Sequence, residues 1–135
     1  MRLAPEVGGH CAIDLDGYLV GAPELIVEIA VSSRSYDMNQ KKQVYARHGV
    51  QEYLVVLAYE KAVAWFALRD GEYQRLPADS EGILRSEIFP GLWLQPAAVW
   101  DNDPGLLATL QAGLHSPEHQ SFLENLEGQR ASANS

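Results

Sequence analysis

Residues 23–30 read PELIVEIA, and Glu28 is the one charge inside the apolar run LIVEIAV that spans 25–31. The length of that run and its β-branched content favour a buried central strand. A lone carboxylate is costly to bury there, so Glu28 calls for a partner, a shifted pKa or a metal ion. Alternate side chains of a strand share a face, so Glu24, Ile26 and Glu28 point the same way. Two readings stay open at this stage. Glu28 is a metal-binding acid, or it is a glutamate at a sheet edge paired with Arg or Lys.

Upstream, CAIDLDGYLV (11–20) alternates in part and carries a turn at Asp16-Gly17, which predicts a hairpin. Asp14 and Asp16 read as turn chemistry rather than as ligands. Downstream, SSRS (32–35) reads as a loop. From 36 to 48 the composition shifts to helix formers, with Asp37 placed to cap the start and Gly49 to end the helix. Lys41 and Tyr45 are four apart and share a face, whereas Lys42 is rotated by ~100° from Lys41. On this helix alone, a solvated lysine pair is the simpler reading.

YLVVLAY (53–59), AVAWFAL (62–68) and EYQRL (72–76) follow as a β-meander with turns at Glu60-Lys61 and Asp70-Gly71. A short extended piece is expected at 83–84, a brief strand at LWL (92–94) and a short helix from Pro96 to about 100. Two more helices are expected over 106–114 and 117–126, broken by His115-Ser116-Pro117. The fold class is α/β, or mixed α+β, with a helix crossing between two central strands. One domain spans 1–127, and 128–135 (GQRASANS) reads as a flexible tail.

The chain has 135 residues, 47% of them apolar, enough for one domain with a core. No stretch approaches the ~18–20 apolar residues of a membrane span, and the first ten residues lack the pattern of a signal peptide. The cytoplasm is the default compartment. The net charge of −8 argues against a non-specific nucleic-acid coat, but it is compatible with a carboxylate active site that takes divalent cations. Cys11 is the sole cysteine and reads as an inert thiol. His10, His48, His115 and His119 show no metal-ligand spacing, since Pro117 interrupts the pair that is four apart. Trp65, Phe66, Trp93 and Trp100 read as core or interface anchors. There is no P-loop, dinucleotide fingerprint or nucleophile elbow.

The ordered set GAPELIVEIA, SSRSYD, K-x-x-x-Y and GVQEYLVV resembles the core of the Uma-type family of restriction-endonuclease-like proteins. The likeness extends through FPGLWLQPAAVW and the HSPEHQSFL helix. Members are similar to PD-(D/E)XK nucleases, so the resemblance implies a restriction-endonuclease-like core with a central sheet flanked by helices. It also implies a DNA endonuclease dependent on Mg²⁺ or Mn²⁺. Glu28 matches the metal-binding acid of the E-x-K element, and Glu24 matches the acid of the P-[DE]-L-V-V-E run. Ala30 stands where that element has lysine, and Lys41 matches the lysine on the following helix. Asp37 and Tyr45 match flanking positions with structural or supporting roles.

Relatives carry an N-terminal helical region and then a strand bearing an Asp, often in a Pro-Asp pair. Here Met1-Arg2-Leu3 reads as the tail of that strand, so that Asp is not in the sequence. A start at an internal Met, a natural truncation, or an acid from elsewhere all fit. An apolar sheet face left without its N-terminal cover would be covered by dimerisation. Two functions are therefore expected as alternatives. One is an endonuclease using Glu28 as the central metal ligand, Glu24 as a second ligand and Lys41 as the cationic partner; the other is an inactive nuclease fold acting as a homodimerisation or protein-interaction module.

Overall fold

The computed structural model describes residues 1–9, 12–34, 36–100 and 104–133. Its centre is a four-stranded sheet in the order β3-β4-β5-β6, formed by Leu25–Ala30, Glu52–Leu57, Ala62–Arg69 and Glu72–Arg75. Strands β3 and β4 are parallel, with Ile26 beside Tyr53 and Glu28 beside Val55. Helix α1 (Met38–Arg47) makes the crossover between them, as a parallel pair requires. The rest of the sheet is the expected antiparallel meander. At its β5–β6 turn both Asp70 (φ 53°) and Gly71 (φ 83°) are left-handed, the conformation that an Asp-Gly hairpin supplies.

The two faces of the sheet are closed differently. On one, Ala30, Tyr53, Val55, Leu57, Ala64 and Phe66 form a core with Tyr36, Met38 and Tyr45 packed against it from α1 and the loop before it. On the other, Leu25, Leu54, Trp65 and Ala67 meet Leu76, Leu84 and Phe89, with Leu3, Trp100 and Phe122 closing the layer. That second layer includes the pair β7 (Leu84–Arg85) and β8 (Trp93–Leu94), the 3-10 turn Pro96–Val99, α2 (Pro104–Leu114) and α3 (Pro117–Ala133). A small hairpin, β1 (Ala12–Ile13) with β2 (Leu19–Val20), stands apart from the main sheet. The mixed α+β architecture expected from the sequence is therefore observed.

Local chemistry explains most element ends. The Asp37 carboxylate accepts from the Gln40 N–H at 3.0 Å and caps α1. Asp14 accepts from the N–H groups of Asp16 and Tyr18 at 3.0 and 2.9 Å, so it is turn chemistry. His115 and His119 each direct Nδ1 to a backbone carbonyl, of Gln111 and Pro90 respectively, and do not form a pair. Trp65 is buried, and Trp100 packs on the core as an anchor.

Helix α3 continues to Ala133, beyond residue 127 where a tail is expected. It packs against the 3-10 turn Pro5–Val7, and that tertiary contact supports a segment whose composition reads as a tail. The expectations for His10 and Cys11 lie outside the described residues. Among the described residues, no helix is long and apolar enough to cross a membrane.

Candidate active site

Glu28 sits near the end of β3 on the face that α1 covers. It is half-buried, and its carboxylate is held by two phenols. Tyr45, from α1, donates to Oε1, and Tyr36, from the loop before α1, donates to Oε2. The Tyr36 hydroxyl also meets that of Tyr53 on β4. Tyr53 is fully buried. Its ring stacks on Phe66 at 5.9 Å and meets the Tyr45 ring edge-on at 5.2 Å. Burial, then the bond to Glu28, drives the Tyr36 phenol well above the ordinary tyrosine range, so it stays a donor. Burial pushes Tyr53 upward as well.

Glu24 is only 3% exposed, and its Oε2 accepts from the Leu3 N–H at 2.6 Å. Four residues along a strand separate it from Glu28 by on the order of 13 Å. The two carboxylates have different partners, the Leu3 N–H for Glu24 and the Tyr36 and Tyr45 phenols for Glu28.

Lys41 is exposed on α1, one turn before Tyr45. The lysine turned inward is Lys42, whose Nζ lies 3.9 Å from the centre of the Phe66 ring. Burial, with Arg75 adding to it, lowers the pKa of Lys42. Met38, Lys42 and Tyr45, spaced by four and three, form the inner stripe, which leaves Lys41 at its flank.

A second carboxylate went unnoticed in the sequence. Glu52 is 0% exposed at the start of β4. Its Oε1 accepts from Trp65 Nε1 at 3.2 Å and Ser86 Oγ at 2.6 Å. Its Oε2 accepts from the N–H groups of Glu87 at 2.7 Å and Ile88 at 3.2 Å. All four acceptor positions of the carboxylate are filled. Glu28 differs: among the described residues two of its positions are filled, and its side chain is half-buried. Tyr36 and Tyr53 were also not singled out by sequence reasoning. The parity of β4, which puts Tyr53 on the Glu28 face, was the signal that could have found Tyr53.

The fit to a divalent cation follows from this contrast. Among the described residues, no group of three or more His, Cys, Asp or Glu converges as a metal cage. Glu28 offers one hard carboxylate with free acceptor positions, and Mg²⁺ is commonly held by one or two carboxylates while keeping several waters. The residues fit a cation of that loosely held kind.

Searching the curated proteins gives no match to the chain. A family model described as "Uma2: Putative restriction endonuclease" matches residues 5–97, which include β1 to β8, α1 and every acid and lysine discussed above. With more than half of the sequence matched, the chain belongs to the Uma2 family.

Proposed function

We propose that the chain is a metal-dependent DNA endonuclease whose site centres on Glu28. Family membership supports a nuclease. The observation that carries the site is the contrast between Glu52, sealed by four donors, and Glu28, which is half-buried and receives two donors among the described residues. In this reading Glu28 holds Mg²⁺ or Mn²⁺. When bound, such an ion supplies an acidified water and neutralises charge at phosphorus. Lys41 presents a cation to the phosphate and its developing negative charge. Glu24 anchors the N-terminal residues through Leu3 rather than ligating the ion. The test is plasmid cleavage with Mn²⁺, comparing the wild type with Glu28→Ala at a temperature where both are folded. Cleavage by the wild type alone is expected, and equal cleavage by both proteins would overturn the reading.

A second reading, a homodimerisation module, is favoured by the outer edge of β3. Val27, Ile29 and Val31 are 50%, 78% and 77% exposed on the face that Leu25 shares. The C=O groups of Glu24 and Ala30 accept from β4 and the following turn, while Leu25 exchanges both of its backbone bonds with Met1. Within β3, Val27 and Ile29 therefore turn their backbone polar groups to the edge away from β4, which no described strand pairs, while the Val31 C=O accepts from Tyr59 at 2.8 Å. Antiparallel pairing of two copies about Ile29 would set Val27 against Val31 of the partner subunit. It would also set Glu28 against Ala30, so like charges are not opposed. Sedimentation of the wild type and of Ile29→Lys tests this. A concentration-dependent dimer lost in the variant is expected, and a monomeric wild type would rule the module out.

A further inference from the structure

We propose that Tyr36, itself held by Tyr53, is a positioning residue that fixes the Glu28 carboxylate in the orientation needed to capture a cation at its open acceptor positions. The inference rests on the nuclease reading but concerns residues which that reading does not use. Its basis is a count of protons. Tyr36 has one hydroxyl proton, and it is donated to Glu28 Oε2. The contact between the Tyr36 and Tyr53 hydroxyls then requires Tyr53 to donate to the Tyr36 oxygen. Tyr45 donates to Oε1. The chain Tyr53 to Tyr36 to Glu28, met by Tyr45 from the other side, closes with Glu28 as the one acceptor that all three phenols serve.

The chain also starts from a fixed point. The Tyr53 ring is buried between Phe66, Tyr45 and Tyr73, the last at 6.1 Å, so its hydroxyl cannot swing away without breaking three ring contacts. Tyr36 lies on a loop rather than on a strand or helix, and without Tyr53 its side chain would have no rigid partner to aim it. The Glu52 carboxylate is sealed by four donors. Around Glu28 the described residues supply two donors, both phenols, and the side chain is half-buried rather than sealed. Carboxylates that bind metals are commonly held by such outer hydrogen bonds, and losing one typically weakens the metal about 10–100-fold.

The test uses Tyr36→Phe and Tyr53→Phe, which keep the rings and remove one hydroxyl each. Mn²⁺ affinity is measured by calorimetry on the full chain, without DNA. Tyr36→Phe is expected to bind Mn²⁺ about tenfold or more weakly, and Tyr53→Phe to shift in the same direction although it does not touch Glu28. In urea unfolding without metal, Tyr36→Phe is expected to raise the unfolding constant about tenfold when Glu28 is present, and by a smaller factor in Glu28→Ala, where the bond from Tyr53 alone is lost. Wild-type Mn²⁺ affinity in Tyr36→Phe, or an equal unfolding effect in both backgrounds, overturns the proposal alone. Mn²⁺ binding that Tyr36→Phe weakens, with no DNA cleavage by any variant, upholds the positioning role and overturns the nuclease reading. No Mn²⁺ binding by the wild type overturns both.

Discussion

Replacing Glu52 by glutamine changes one atom at the most enclosed polar point of the fold. The carboxylate ties β4 to Trp65 on β5 and to the backbone of residues 87 and 88, 35 and 36 positions away in sequence. A glutamine retains one oxygen and turns the other end into a donor, so two of the four donors lose their acceptor. The Ser86 hydroxyl can rotate to accept from the new amide, because among the described residues its oxygen receives the Phe89 N–H alone. The backbone N–H groups of Glu87 and Ile88 then keep the remaining oxygen, and the Trp65 N–H is left facing a donor. With each unmade buried bond costing about 1–3 kcal/mol, and charge assistance lost at the others, the total is about 2–4 kcal/mol. Glu52→Ala leaves all four donors unmet and costs about 4–12 kcal/mol, which approaches the whole stability of about 5–15 kcal/mol expected of a domain. Urea unfolding followed by tryptophan fluorescence reads the effect. The midpoint of Glu52→Gln should fall by about 1–2 M with an unchanged slope, and Glu52→Ala should not fold cooperatively at 37 °C. A midpoint within about 0.3 M of wild type for Glu52→Gln would refute the argument that this carboxylate clamps the two layers.

Gly91→Ala should lower Tm by about 10 °C. The added Cβ would lie 2.4 Å from His119 Cβ and 2.7 Å from the Gly113 carbonyl, at a φ of +95°, and calorimetry measures the shift. Glu60 accepts from the Ser33 hydroxyl and N–H, and these bonds, the hydroxyl first, hold its pKa below the ordinary range. A depressed folded pKa means the tether is fully present above the ordinary glutamate range and is lost as pH falls through the folded value. Amide exchange at Ser33, corrected for intrinsic rates, should therefore rise at acid pH, and in Glu60→Gln it should be insensitive to pH. Lys41→Met should reduce DNA cleavage while leaving the unfolding midpoint unchanged. Lys42→Met should cost about 0.5–1 kcal/mol through its lost contact with Phe66, and the same two assays separate them.

Periodicity and turn chemistry in the sequence determined the elements: the apolar run of β3, the capped helix, the Asp-Gly hairpin and the meander. These are local, since a strand, a cap or a tight turn is decided by residues within a few positions of one another. The order of motifs likewise determined the family, and with it the choice of Glu28 as the central acid. The tertiary structure alone decided what surrounds that acid. Tyr36 and Tyr53 come together from positions 17 apart, and nothing in either segment specifies that their hydroxyls meet. The clamp at Glu52 joins segments more than 30 residues apart, so a glutamate at a strand start gave no sign of being sealed. The separation of Glu24 from Glu28, the inward turn of Lys42 and the extension of α3 to Ala133 have the same origin. Periodicity assigns a side chain to a face, but distance, burial and hydrogen-bond partners depend on which distant segment packs against that face.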